Sequence, residues 1–506
     1  MRLYDLSFYD VVQRNAIAFG DQPCWHEVDD GRKLTFAEYR DQVDLLAAGL
    51  AQQGISKGNR IGIVGKNSLE FFLVYGAAAF LGAIVLPINW RLSADEICFN
   101  LGDCTPKIVF ADEEFQTPLQ EKRQELSSIK SHYNLKGDSG SFTPFSSLLQ
   151  PNSPAEPAEV EWADGFVIIH TAAVAGRPRG ALLSHGNMLT ANLHFQYYME
   201  ITPQDIHLNL LPLFHVGGLF LATSTFQAGA ANLNISKFDG AAAARLIEEM
   251  GASLLFDFPP ILDSIITSAK ENRRDIRSLR AVVGLGTKEV IDSYQSLTGG
   301  SYYVMYGQTE TSCLVTMGKY NDRPGSAGKV IPLGNVQLVD EFDRPVTQGE
   351  VGEITLRGPM VFRGYWSLPE DNEYTFRDGW HHTGDLGRFD GEGFLFYAGR
   401  KAEKELIKPG GENVYPAEVE KVILQHPAVQ QTVVFGVPDP KWKEGIKTVC
   451  VLKEGESLEA AALTEFVGER IARFKKPQYV EFVNTLPQKE DGSIDRQEVK
   501  RLYTPT

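Results

Sequence analysis

Three short stretches of this chain carry residue types that do chemistry on phosphates and sugars. In Tyr306-Gly307-Gln308-Thr309-Glu310-Thr311, an apolar run at 302–305 ends in Tyr-Gly, which puts an aromatic face beside a backbone turn and suits a planar base. A neighbouring Thr hydroxyl can reach a phosphate oxygen, and a Glu carboxylate is a hard oxygen ligand for Mg²⁺. In His382-Thr383-Gly384-Asp385-Leu386-Gly387, a carboxylate in a tight turn can accept both hydroxyls of a ribose, and Arg400 follows it by fifteen residues. The third stretch, HTAAVAGRPRG at 170–180, follows an apolar run at 166–169. A strand ending in a Gly- and Pro-punctuated turn with arginines can hold a phosphate through backbone N–H groups. Read singly, each stretch is also a polar strand end, a hairpin turn or a plain surface turn, and composition alone favours those readings.

The elements that must position these residues alternate along the chain. The pattern predicts a strand at 60–64, a helix at 68–81, a strand at 83–86, a helix at 94–100 and a strand at 107–110. An irregular surface connection rich in Ser, Pro, Gly and acids is expected at 131–161, then helices at 187–198 and 240–250 and a strand at 253–256. Alternation of this kind favours sheets covered by helices. From about residue 334 short strands with turn signals take over. After Gly399-Arg400 comes a lysine-rich junction, then a compact unit with helices from 416 and over 458–474 and strands at 432–435 and 449–451. The expected domains are therefore 1–398 and 399–506.

Bulk properties bound the function. With 506 residues the chain exceeds one ordinary core. It is 43% hydrophobic and 23% charged, as a soluble globular protein is. A formal charge of −16 argues against a nucleic-acid partner and against docking on anionic lipid. Five scattered cysteines without a CxxC pair fit reduced thiols in a cytoplasmic protein. The apolar run 71–88 reaches the lower length of a membrane span, but small residues and Pro87 interrupt it, so it reads as a buried helix running into a buried strand.

Taken together, the order and spacing of the pieces resemble the adenylate-forming enzymes: acyl- and aryl-CoA synthetases, beetle luciferases and peptide-synthetase adenylation domains. The resemblance runs from about residue 30 to 501 and adds LPLFHVGGL (211–219), GGENVYPAEVE (410–420) and LPQKEDGSIDR (486–496) to the three stretches above. It implies an α/β fold: a large N-terminal domain of α/β sheet subdomains plus a β-rich subdomain, with a small mobile α+β C-terminal domain. It implies acyl-CoA synthesis in two steps, in which a carboxylic acid attacks the α-phosphate of ATP and coenzyme A then takes the acyl group and releases AMP. Carried over by position, Tyr306 stacks on adenine beside Gly307, and Thr309 contacts phosphate. Glu310 holds Mg²⁺, Asp385 binds the ribose and Arg400 assists. Thr171, Gly176, Arg179 and Gly180 stand at the phosphate loop, and Gly284 and Gly286 at a Gly-rich turn between adenine and the acyl group. Phe214, His215, Phe258 and Gly286 border the acyl pocket. Gly410 and Gly411 line the coenzyme A channel, and Lys401 and Lys404 are candidate hinge positions in a junction about two residues longer than usual. The implied partners are small molecules, namely the acid, ATP and CoA; a homodimer is allowed. Length and the absence of a carrier-protein domain favour a stand-alone ligase, and Phe256, Pro259 and Pro260 add to an apolar pocket for an alicyclic, aromatic or medium-chain acid.

Two departures from the family pattern touch ATP. The phosphate loop has Ala172, Ala173, Val174 and Ala175 where small polar residues and glycine stand, and Arg179 replaces its lysine with a planar, bulkier head. The last motif reads Gly492-Ser493-Ile494-Asp495-Arg496, so the lysine that bridges carboxylate and α-phosphate in the family is Ser493. Loss of such a clamp costs roughly 10²–10³ in rate; Lys489 is a possible substitute. Three readings follow: a working synthetase with altered ATP clamps, including one run toward ATP formation; an engineered serine; or a nucleotide- and acyl-binding homologue without turnover. The retained thioester-step residues favour an enzyme whose weakened half is adenylation.

Overall fold

The computed structural model describes residues 3–171, 178–401, 406–488 and 494–504. Two parallel-dominated sheets form the bulk of the chain. One has seven strands, ordered Gly364–Tyr365, Arg179–Ser184, Gly165–Thr171, Ile84–Ile88, Arg60–Val64, Ile108–Ala111 and Ser131–Asn134. The other has nine, with Leu254–Asp257, Ala281–Gly284 and Ser301–Tyr306 adjacent and parallel near its centre. Parallel strands need crossover helices, which is why apolar Val- and Ile-rich runs alternate with helical segments in the sequence.

The run at 71–88 resolves as expected from its pattern. Helix Leu69–Leu81 is buried on every face, Ser68 caps its start, and Gly82 at φ +64 ends it before strand Ile84–Ile88. A helix apolar all round belongs inside a core, and among the described residues no helix is long and apolar enough to cross a membrane.

Other boundaries differ. The 131–161 stretch is not wholly irregular: strand Ser131–Asn134 extends the seven-stranded sheet, and Phe142, Phe145, Leu148 and Val160 are buried. Polar residues on an edge strand hid its period. The helix expected over 94–100 continues to Cys104, with Thr105 in the left-handed conformation as its cap. The helix expected over 458–474 is shorter, Ala460–Gly468, followed by the single turn Arg473–Lys475.

A four-stranded antiparallel sheet, Asn335–Val339, Gly352–Arg357, His381–Phe389 and Leu395–Arg400, follows the large sheets. The chain then forms a three-stranded sheet, Val429–Asp439, Lys443–Leu452 and Tyr479–Val483, with helices Pro416–Ile423, Ala460–Gly468 and Arg496–Tyr503. Its apolar residues, from Ile407 to Val499, cluster among themselves rather than with the core that runs from Phe8 to Leu395.

Candidate active site

Ligands of open α/β sheets bind beyond the carboxyl ends of the parallel strands. Tyr306, Gly284 and Thr171 are the last residues of their strands. The antiparallel sheet adds Asp385 and Arg400, which face each other directly across the pairing of His381–Phe389 with Leu395–Arg400. The fifteen-residue spacing is thus a hairpin whose connection lies at 390–394. Thr383-Gly384-Asp385 lies inside a strand, not in a tight turn as its Gly suggests; Gly384 at φ +68 kinks that strand beside a register shift. The kink aims the aspartate.

Asp385 is 3% exposed and fully engaged. Arg400 Nε donates to its Oδ1 at 2.9 Å, while the Tyr306 hydroxyl and Gln308 Nε2 donate to Oδ2 at 2.8 and 2.5 Å. Burial, then the Asp385 charge, push the Tyr306 phenol well above its ordinary range, so it remains a donor. Gly307 cannot carry a side chain, because a Cβ there would stand 1.8 Å from the Cys313 carbonyl oxygen. That close approach turns Gln308 back onto the aspartate and starts the turn Thr309–Thr311.

Glu310 is also buried and accepts from the Tyr365 hydroxyl at 2.8 Å. The Arg179 guanidinium lies 4.0 Å from the Tyr365 ring centroid, and its Nη1 donates to Asp371 at 2.9 Å. Its Nε is buried with no hydrogen-bond partner among the described residues. A buried donor left unsatisfied is costly. Thr171 Oγ1 donates to the Arg179 carbonyl, and Gly180 pairs with His170 in the same hairpin. Gly176 and the four substituted positions 172–175 lie outside the described residues, as do Lys404, Lys489 and Ser493.

The Gly-rich turn is held from beneath. A Cβ on Gly284 would stand 1.9 Å from the Asp257 carbonyl oxygen, so only glycine fits. Gly286 N–H donates to Tyr302 Oη at 2.5 Å, and that hydroxyl donates to Asp257 at 3.0 Å. Burial pushes the Asp257 carboxyl up to about 6. Beside it, the Phe256 and Phe258 rings stack at 5.3 Å, and helix Val216–Gln227 begins so close that a Cβ on Gly217 would touch Phe256 at 3.1 Å. Phe214 and His215 lead into that helix with their rings 4.6 Å apart. The helix that Phe214 and His215 lead into thus starts against Phe256, the stacking partner of Phe258.

The C-terminal unit reaches this region through the loop at 410–415. Glu412 accepts from Asn89 Nδ2 at 2.9 Å and from Arg91 Nη1, and its Oε2 lies 3.6 Å from His215 Nε2. Burial alone raises its carboxyl, but His215 and Arg91 outweigh that and hold it at about 2. Tyr415 enters the field of Glu310, Arg179, Arg400 and Asp385, and burial pushes its phenol up to about 12. Gly410 packs under Trp442, whose ring a Cβ would meet at 2.8 Å. At the junction, Lys401 Nζ pairs with Glu353 at 2.6 Å, and Glu353 also accepts from the Gly384 N–H at 2.8 Å.

Gln308, Glu353, Tyr365, Glu412 and Tyr415 were not singled out from sequence. Gln308 and Glu412 lie inside motifs that were, so a polar side chain there was a usable signal. Tyr365 and Glu353 act through partners far along the chain, which spacing does not reveal.

Comparison with known proteins shows the family. The AMP-binding enzyme family matches residues 12–366, and the AMP-binding enzyme C-terminal domain matches residues 418–492. The indoleacetate–CoA ligase of Aromatoleum aromaticum is 32% identical over 93% of both chains. A structure from Rhodopseudomonas palustris CGA009, provisionally named a long-chain-fatty-acid CoA ligase, is 44% identical, covers 79% of this chain and 100% of its own, and has a TM-score of 0.75. The o-succinylbenzoate CoA synthetase of Bacillus subtilis is 25% identical and covers 98% of each chain; as a double mutant bound with its product analogue OSB-NCoA its TM-score is 0.86, and in complex with AMP it is 0.71. The chain belongs to the AMP-binding enzymes, in their CoA-ligase branch, and is an enzyme of the acid–thiol ligase class.

Proposed function

We propose that this enzyme joins an apolar, ring-bearing carboxylic acid to coenzyme A through an acyl-adenylate, and that the described arrangement is the one that forms the thioester. The observation that carries this reading is Glu412, drawn from the C-terminal unit onto Asn89, Arg91 and His215 beside the nucleotide residues. The higher similarity to the product-analogue complex than to the AMP complex of the same synthetase supports it. Residues 399–506 are then the mobile domain, pivoting at Lys401 or Lys404, and Gly410 and Gly411 line the thiol's approach.

In the nucleotide site, Tyr306 offers a ring face to adenine, and Asp385, held by Arg400, Tyr306, Gln308 and Tyr397, accepts the ribose hydroxyls in exchange for some of these donors. Arg179 Nε supplies a donor that a phosphate oxygen would satisfy, with Thr171 bonded to the Arg179 carbonyl, and Thr309 would add a hydroxyl. Glu310 fits Mg²⁺: it is a buried hard-oxygen donor, and among the described residues only Tyr365 donates to it. Bound there, the ion would neutralise charge on ATP phosphates. Positioning and charge stabilisation of this kind carry most of phosphoryl transfer. The stacked Phe256 and Phe258 rings, with Phe214, favour an aromatic or arylalkyl acid, in keeping with the acids named for two of the relatives above.

The altered loop and Ser493 weaken adenylation more than thioester formation. A panel of aryl, alicyclic and fatty acids with ATP, Mg²⁺ and CoA, run beside synthetic acyl-adenylate with CoA, tests this. The adenylate is expected to react faster than the free acid with ATP; conversion no faster than in buffer overturns the enzyme reading in favour of a binding homologue.

A further inference from the structure

Asp103 and Cys104 close helix Ala94–Cys104, and His170 is the penultimate residue of strand Gly165–Thr171. The packing of that helix on the sheet brings a carboxylate, a thiol and an imidazole to one point. His170 Nε2 lies 3.1 Å from Asp103 Oδ2, Cys104 Sγ lies 3.7 Å from the same oxygen, and all three donor atoms fall within 4.8 Å of one another. Donors bound to a tetrahedral Zn²⁺ at ~2.0–2.3 Å stand about 3.3–3.6 Å apart. Two of the three separations, 3.1 and 3.7 Å, already lie close to edges of that tetrahedron, and the third is within 4.8 Å.

We propose that Asp103, Cys104 and His170 form a zinc site at the base of the phosphate-loop hairpin. Charge favours it: a carboxylate and a thiolate balance the two charges of the ion, and the imidazole is neutral. No Lys or Arg among the described residues pairs with Asp103. Arg60 makes no ion pair there: it donates to the carbonyls of Cys104 and Thr105 at 2.7 and 3.3 Å and to the Thr105 hydroxyl at 2.8 Å, and lies over the Trp366 ring. The carboxyl end of a helix also favours a cation. The second cluster of this kind, Asp343, Glu353 and His382, already holds Arg377 and Lys401 and has no such need. The side chain of His170 is 5% exposed and that of Asp103 is 26%, so the fourth position opens toward solvent on the aspartate side. Uptake breaks the Cys104 S–H bond, forms a sulfur–zinc bond and releases one proton, with no change in oxidation state. The bound ion would pin the helix to the strand one residue before Thr171. This site does not depend on the ligase reading.

Co²⁺ titrated into the full-length protein tests the proposal. One equivalent is expected to produce thiolate-to-cobalt absorption in the near ultraviolet together with the intense visible bands of a four-coordinate ion, both displaced by Zn²⁺. Cys104→Ser should abolish the near-ultraviolet band, and His170→Gln should weaken binding at least tenfold, with circular dichroism unchanged. X-ray absorption of the zinc-loaded wild-type protein, which needs no variant to fold, should show one sulfur among nitrogen and oxygen neighbours. A wild-type protein with no thiolate band, a band that persists in Cys104→Ser, or a zinc shell without sulfur overturns it and leaves an Asp–His hydrogen bond.

Discussion

Glu412 Oε2 and His215 Nε2 lie 3.6 Å apart, one on the C-terminal unit and the other at the start of helix Val216–Gln227. Arg91 and Asn89 complete the grip on the carboxylate. Removing its charge while keeping its shape weakens the docked arrangement alone. Glu412→Gln is expected to slow acyl transfer from adenylate to CoA by about 10- to 100-fold, from the ~1.5–3 kcal/mol of a charged hydrogen bond. Adenylate formation, followed by pyrophosphate release, should be unchanged. Equal loss in both half-reactions would show that Glu412 only supports the fold.

A second tie crosses the same boundary. Lys475, 4% exposed, donates to Glu96 and to Glu418, and Glu96 also accepts from the Ala472 N–H at 3.1 Å. Glu96 meanwhile caps its own helix by accepting from Ser93. Glu96→Gln retains the cap and loses the ion pair, so the thioester step is expected to fall about tenfold with little change in melting temperature. Lys475→Met leaves two neighbouring, partly buried carboxylates without their shared cation and should destabilise the protein by about 1–3 kcal/mol. Thermal melts beside half-reaction rates separate the two effects.

Where a motif is local, the sequence already showed its geometry. Strand ends at Thr171 and Tyr306 follow from apolar runs stopped by Gly or polar residues, and the buried helix Leu69–Leu81 from a run apolar on every face. The partners of those residues were not legible. Tyr365 reaches Glu310, and Glu353 reaches both Gly384 and Lys401, because sheets assembled from distant segments bring them there. Nothing in local periodicity encodes that pairing. The Thr-Gly-Asp stretch was misplaced for a related reason, since Gly signals a turn as readily as a kinked strand.

The serine at 493 makes a directional prediction about the ATP step. Ser493→Lys restores a cation where related chains bridge the acid and the α-phosphate. Acyl-adenylate formation is expected to rise by roughly 10²-fold, with the rate from preformed adenylate unaltered. Acid-dependent pyrophosphate exchange measures the first, and thioester appearance the second. If Lys489 already fills the role, Ser493→Lys gains little and Lys489→Ala abolishes exchange.

Glu353 links Lys401 to the Gly384 backbone beside Asp385, and its pH dependence follows from its partners. Burial raises its carboxyl, but His382, Lys401 and the Gly384 N–H outweigh that and lower it from the ordinary 4.5 to about 2. A carboxyl lowered on folding stabilises the native state above its unfolded value, and that contribution is lost as pH falls through the folded value. The wild-type protein should therefore lose stability between pH 4.5 and about 2 through this group. Glu353→Gln should remove that part of the acid slope and lower stability at neutral pH. It also frees Lys401 and relaxes the Gly384 kink that aims Asp385, so KM for ATP should rise several-fold while KM for the acid holds. Denaturant melts across the acid range, paired with ATP saturation curves at neutral pH, check both consequences. An acid slope identical in the two proteins would show that the tie to Lys401 and Gly384 does not set the titration of Glu353.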